Sequence, residues 1–534
     1  MSRPSVVCVN FAISTWLLCA GCGTDVPEPP QNPVSTTNDT TQPNITPPLT
    51  NESPGATVPV NPVAPLLPLA PTPPVANQNN SKPTRLQEVS DDAATVSTAL
   101  FRLPDNRPDI NEERLRQAGV QRYEGRRLIL LSDLPADDVR HLPELADGLF
   151  TALEAHFGSL PEATDQSPFQ VTGCLIGDED RFRRAGLMPD EGFTFKHGRH
   201  RNYEFWMYNP KTDYYRRHLL LHEFTHCFMT CESGMLNIPP LWYIEGMAEF
   251  FATHQRRDDV VAPEPQMNYG VLPAGFEGFD GWGRISEMRR SYQRHSTVAN
   301  EPMTMLNIAP LSEVMPRDVG PYFESDFHYA SAWALCWMLN RHPTYRDAFR
   351  PLAQIRTQKP FRETVNSICD SLQPRLSIDW LLFVEDLIEG YDTQRSWPQH
   401  AADSVTISEL TANGPLNRTL SAENGWQDTG LRLKPTESVR ISCEGRYQIN
   451  QTSKPWISEP QGVSIEYVRD LPLGQVIAIL VGADGESLSQ CHSVGRTADI
   501  TSSFAASLWL QINDTSNSRG NNTGHTQITL TAVP

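Results

Sequence analysis

Two histidines and a glutamate carry the clearest chemistry in this chain. Residues His222-Glu223-Phe224-Thr225-His226 read His-Glu-x-x-His, directly after Leu219-Leu220-Leu221. On a helix His222 and His226 lie one turn apart on the same face, so both imidazoles can reach one ion. Glu223 lies beside them, where a carboxylate can take a proton from a water. Two neutral imidazoles and one carboxylate suit Zn2+, with a fourth position left open. The missing acid should sit on a second helix. Glu245 is the candidate, 19 positions after His226 and beyond Pro239-Pro240. Tyr243 to Phe251 has a helical pattern, and Glu249 falls one turn after Glu245 on the same face. His218, one turn before His222, reads as a helix-start or supporting residue, because Glu245 already completes the ligand set. The five-residue motif alone recurs by chance on ordinary helices; the second, acidic helix makes it specific.

A second set lies near the C-terminus. Asp514 ends an apolar stretch, Leu508-Trp509-Leu510-Gln511-Ile512-Asn513, and Gly520-Asn521-Asn522-Thr523-Gly524 follows five residues later. Asp514, Asn521 and Asn522 offer hard oxygens on a tight loop, which is Ca2+ chemistry. The plain alternative is an Asn-rich turn.

Both sets resemble known families. His-Glu-x-x-His, eighteen residues, then Glu within Trp-x-x-Glu-Gly-x-Ala resembles the gluzincin metallopeptidases, including the M1 aminopeptidases and the broader peptidase-MA-like group. That resemblance implies an α+β zincin-like domain, with His222, His226 and Glu245 as zinc ligands and Glu223 as general base. It places Glu249 behind a ligating histidine. It also suggests Tyr329, with His328 as runner-up, as the oxyanion donor in Phe327-His328-Tyr329-Ala330-Ser331-Ala332. In the same family an edge strand before the zinc helix pairs with extended peptide substrate. Arg201 to Tyr208 alternates as such a strand would. The C-terminal pattern, with Trp426-Gln427-Asp428-Thr429-Gly430 and Pro472-Leu473-Gly474-Gln475-Val476-Ile477, resembles the PA-I-type galactose-binding lectins over about residues 415–534. It implies Ca2+ at Asp514, Asn521 and Asn522, with carbonyls near Ser518 and Ile449, and a galactose-like carbohydrate as ligand. This chain departs from the lectins at Ile449, where they carry a tyrosine, and at Glu466, in the place of a sugar-contacting histidine.

The elements that must position these residues follow in order. The chain has 534 residues and a net charge of −19, enough for several domains and unsuited to nucleic acid as a partner. Residues 1–22 resemble a bacterial lipoprotein signal ending Leu18-Cys19-Ala20-Gly21-Cys22, which implies export and a lipid on Cys22 that anchors the chain to a membrane, periplasmic or at the cell surface; a plain secretory signal is the alternative. Residues 23–90 contain no aromatic residue and are rich in Pro, Thr and Asn, a disordered tether that could span on the order of 100–200 Å. Residues 91–400 form the expected metallopeptidase domain. Within it Arg127–Ser132 reads as a strand, Ala136–Phe157 as one helix, Tyr215–Cys231 as the zinc helix and 256–320 as loop-rich. Residues 401–534 alternate in short strands and form the expected all-β sandwich. Seven cysteines follow the signal region. Cys227 and Cys231 read as helix packing or a local disulfide, and Cys443 and Cys491 as a candidate pair. The whole pattern implies an exported zinc peptidase acting on proteins or peptides, with no sign of a grip on a free N-terminus and therefore an endopeptidase. The rival is a surface carbohydrate-binding protein with an inactive metal domain.

Overall fold

A computed structural model describes residues 101–102, 105, 107–189, 194–210, 212–233, 239–256, 267–271, 284–285, 288, 308–315, 326–355, 358–451 and 454–533. The expectations for the signal region and the tether lie outside these residues. The architecture is mixed α/β with several β-sheets.

Leu128-Ile129-Leu130-Leu131 is apolar at both alternating sets of positions, which suits a strand covered on both faces. It forms β2 (Leu128–Ser132), buried throughout. With β1 (Gln121–Glu124), β3 (Val171–Ile176), β4 (Gly198–Arg201) and β5 (Glu204–Tyr208) it makes a sheet of order β1-β2-β3-β5-β4. The three inner strands are parallel, and each outer strand is antiparallel to its neighbour. Alternation divides the side chains between two cores. Leu130, Leu175 and Phe205 pack on the helical side with Phe224 and Phe228. Ile129, Leu131, Ile176 and Trp206 pack with Leu115 and Phe182 on the other.

The edge strand is not the expected one. Glu204–Tyr208 is an inner strand with Phe205, Trp206 and Met207 buried, and β4 forms the edge. The chain reverses between them at Asn202, which takes a left-handed backbone (φ 53°). One polar–apolar run therefore held parts of two strands, and alternation alone cannot say which strand lies outermost.

The single helix expected from Ala136 to Phe157 is also two pieces, Ala136–Val139 and α1 (Leu142–Phe157). Pro143 explains the break, since proline is tolerated in a helix's first turn but not in its interior. Leu142, Leu145, Leu149 and Leu153 are buried, as their spacing predicts.

Three further helices build the site: α2 (Asp213–Ser233), α3 (Leu241–Ala252) and α4 (Asp326–Arg341). A Cβ at Gly246 would lie 2.5 Å from the Ala332 carbonyl and 2.6 Å from Cys336 Sγ. Only glycine allows α3 to lie so close to α4 at the position next to Glu245.

After α5 (Arg375–Asp386) the chain builds two packed sheets. Their strands are β6 (Val405–Thr406), β7 (Leu416–Ser421), β8 (Gln427–Leu433), β9 (Ser438–Glu444), β10 (Tyr447–Gln451), β11 (Pro455–Ser458), β12 (Gln461–Val468), β13 (Leu471–Gly482), β14 (Thr497–Thr501), β15 (Ala506–Ile512) and β16 (Thr523–Ala532). One sheet runs β12-β13-β15-β8-β6 and the other β11-β10-β16-β9-β14, with β7 also paired to β16.

The sandwich does not stand apart. In β13, Val476, Ala478 and Leu480 face the sandwich core, whereas Ile477, Ile479 and Val481, with Trp426 and Trp509, join the core of the helical region. Ion pairs stitch the same boundary. Arg519, fully buried, donates to both oxygens of Asp386 at 2.6 and 2.9 Å and to Ser396 Oγ at 2.7 Å. Arg469 donates to Asp386 at 2.6 Å and to Glu385 at 2.8 Å. All seven described cysteines are free thiols. Cys443 sits in the sandwich core and Cys491 beside Glu385 at the boundary, so the candidate pair does not form.

Candidate metal centre and C-terminal loop site

α2 places His222 and His226 one turn apart, and α3 brings Glu245 against them. The Nε2 atoms of the two histidines lie 3.0 Å apart, and Glu245 Oε2 lies 3.2 Å from His226 Nε2 and 3.6 Å from His222 Nε2. Among the described residues these three form the group of His, Cys, Asp and Glu side chains able to share one ion. All are buried. Zinc bonds of about 2.0–2.1 Å in a tetrahedral arrangement set ligand atoms about 3.3–3.4 Å apart, within the observed spread. The donor set therefore fits Zn2+. Although burial pushes the Glu245 carboxyl up, His226 and His222 hold it well below the usual carboxylate range.

Behind the triad lies Glu249. Its Oε1 is 3.4 Å from His222 Nδ1, and its Oε2 is 3.1 Å from His218 Nε2. Arg284 donates to Glu249 Oε1 at 2.6 Å. Burial alone would raise the Glu249 carboxyl; Arg284 and His218 hold it well below the usual range. A carboxylate on Nδ1 of His222 fixes the tautomer that turns the Nε2 lone pair toward the centre. His218 meets Glu249 and is not one of the three converging side chains.

Glu223 is buried and points beside the triad. Its Oε1 fills the space where a side chain at position 198 would begin: a Cβ on Gly198 would lie 2.4 Å away. Its Oε2 has no hydrogen-bond partner among the described residues. His200 Nδ1 lies 3.7 Å from that oxygen, and the His200 ring stacks on His226 at 4.4 Å. Burial, and then the neighbouring His226, push His200 below its ordinary pKa.

Tyr329 is buried on α4, with the Arg284 guanidinium over its ring at 5.5 Å. It is linked to the site through that cation and Glu249. Sequence reasoning missed Gly198, His200 and Arg284. The Gly-x-His spacing in β4 is a readable signal, because residues two apart share a strand face. Arg284 gave none, lying in a stretch that reads as loop.

The C-terminal loop brings Asp514 and Asn522 together, Asn522 Nδ2 donating to Asp514 Oδ2 at 2.9 Å. Asp514 Oδ1 accepts from Thr515 N at 2.7 Å and Ser518 Oγ at 2.5 Å. The Oδ1 atoms of Asn521 and Asn522 are buried without a hydrogen-bond partner. An ionised carboxylate has about four acceptor sites, so Asp514 keeps one beyond the three in use. Asn522 turns its amide nitrogen, not its oxygen, to Asp514, also donating to the Ala422 carbonyl at 3.1 Å; buried amide oxygens without a partner on the same loop as a carboxylate are of the type that suits a hard cation such as Ca2+. Ile449 is buried, and Glu466 is exposed on β12.

No family model matches the chain, and no curated protein matches it. A solved structure described as "EclA N-terminal domain; PllA-like lectin" is similar at 18% identity, over 22% of this chain and 96% of that one, with a TM-score of 0.18. That likeness is too slight to carry an argument about the fold.

Proposed function

We propose that this chain is an exported zinc-dependent peptidase, an endopeptidase of proteins or peptides, held at a membrane by a lipid on Cys22. We assign residues 91–400 to a gluzincin-like, zincin-type α+β domain and residues 401–534 to a lectin-like sandwich that takes Ca2+ and carbohydrate. The observation that carries the reading is the convergence of His222 Nε2, His226 Nε2 and Glu245 Oε2 within 3.6 Å, with Glu223 beside them.

His222, His226 and Glu245 would hold the ion. When bound, Zn2+ would supply Lewis-acid polarisation of a carbonyl and acidify a water. Glu223 takes a proton from the attacking water and delivers it to the leaving amine. Glu249 orients His222 and is itself held by His218 and Arg284. Tyr329 is the candidate donor to the oxyanion. In the sandwich, Asp514, Asn521 and Asn522 would hold Ca2+, and a bound carbohydrate would raise the local concentration of glycosylated substrate. The orphaned oxygens of Asn521 and Asn522 also favour a second reading, a surface carbohydrate-binding protein with an inactive metal domain. The retained Glu223 weighs against it.

The test is cleavage of a mixed peptide and glycoprotein library by the zinc-loaded chain, wild type against Glu223→Gln, with and without Ca2+. The expected result is cleavage lost in the variant with zinc retained, and a Ca2+ effect confined to glycosylated substrates. No cleavage by either form, with zinc bound, would overturn the peptidase reading in favour of the second.

A further inference from the structure

The carboxylate of Glu223 is enclosed by one strand. Gly198 and His200 are two apart on the edge strand β4, so they share a face, and both meet Glu223. At position 198 the absent side chain makes room for Oε1: a Cβ there would sit 2.4 Å from it. At position 200 the imidazole lies alongside Oε2, with Nδ1 at 3.7 Å.

Oε2 is otherwise a buried carboxylate oxygen with no hydrogen-bond partner among the described residues. Leaving such an atom unsatisfied is costly. A shift of less than 1 Å turns the 3.7 Å approach into a hydrogen bond, and bonds of this kind are often long before substrate binds. The His200 ring lies nearly parallel to His226, at 20° and 4.4 Å. Its side chain keeps 19% exposure, against 3% for Glu223.

We infer that His200 is a positioning residue, whose Nδ1–H holds the Glu223 carboxylate in the orientation from which it meets a water at the open side of the triad. The inference rests on Glu223 being the base. The stacked ring on His226 is the rival explanation for a histidine here, and the two make different demands. Positioning needs an N–H donor. Stacking needs only a flat ring.

Two substitutions in the full chain separate them. His200→Asn keeps an amide N–H near the place of Nδ1. His200→Phe keeps the flat ring and removes the donor. The first readout needs no activity: a double-mutant cycle pairing each variant with Glu223→Gln, by urea unfolding of the metal-free protein. The expected result is a coupling of at least about threefold in the unfolding equilibrium constant for Phe, and near-additivity for Asn. The second readout is turnover. In Phe, kcat should fall about 10- to 100-fold with KM within about twofold, and Asn should recover most of it. Zinc content should stay at the wild-type value in both. An additive cycle for Phe, wild-type kcat in Phe, or loss of zinc in Phe would each overturn the inference; the last would assign His200 to the support of His226. If Glu223→Gln itself leaves cleavage intact, the peptidase reading fails. The metal-free cycle still decides whether His200 holds Glu223.

Discussion

Replacing Arg519 with methionine should loosen the whole C-terminal sandwich from the helices beneath it. Arg519 lies in the turn between Asp514 and Asn522 and is completely buried. Its guanidinium makes four hydrogen bonds: two to the Asp386 carboxylate, one to Ser396 Oγ and one to the Asp514 carbonyl at 3.2 Å. Breaking a buried ion pair from one side costs about 3–5 kcal/mol, because the other charge is left buried and uncompensated. Here Asp386 keeps Arg469 at 2.6 Å, so the loss should sit near the lower end, about 3 kcal/mol. Removing both charges together, Arg519→Met with Asp386→Leu, leaves no orphaned anion, and Arg469 still has Glu385 at 2.8 Å. The double variant should recover part of the stability. Urea unfolding followed by tryptophan emission suits the test, since Trp397, Trp426 and Trp509 belong to the core shared by the two regions. A loss below about 1 kcal/mol for Arg519→Met would place the pair among weak, solvent-screened bridges and refute the argument.

Two other outcomes follow from the same structure. Glu249→Gln removes the charge that Arg284, His218 and His222 share, and zinc affinity should fall about 10- to 100-fold in a chelator competition; an unchanged affinity would show that His222 is oriented by something else. Acid should destabilise the fold through two buried imidazoles. His254 accepts from Arg217 Nε at 3.1 Å and pairs its Nδ1 with the Ala252 carbonyl at 2.8 Å. Burial pushes its pKa down to about 3, and burial pushes that of His342 down to about 4. Both lie below the unfolded value of about 6.5, so between those limits the unfolded chain binds more protons. The contribution is complete above about pH 6.5 and is lost as pH falls toward 4 and then 3, by roughly 1.4 kcal/mol per pH unit for each group. Unfolding free energies that are level from pH 7.5 to 5 would contradict this.

Sequence alone determined the local parts of the site. The i, i+4 spacing of His222 and His226, and of Glu245 and Glu249, follows from helix geometry, so two short stretches suffice to show which side chains share a face. Leu142, Leu145, Leu149 and Leu153 show their buried stripe for the same reason. Other features depended on what lies across from a residue, which no local pattern carries. Only the assembled sheet decided that Gly198–Arg201 is the edge strand, and hence that Gly198 and His200 meet Glu223. Arg284 lies in a stretch that reads as loop although the residue itself is helical, and its contacts with Glu249 and Tyr329 reach across to other helices. The sandwich shows the limit most clearly. Val476 to Val481 is apolar at every position, which marks a strand buried on both faces but does not say against what. The structure divides the run, even positions to the sandwich core and odd positions to the helical core. It seals the boundary with Arg519 and Asp386, 133 residues apart in the chain. Spacing within one element is fixed by backbone geometry, whereas partners across elements are fixed by packing, and packing is decided only when the whole chain has folded.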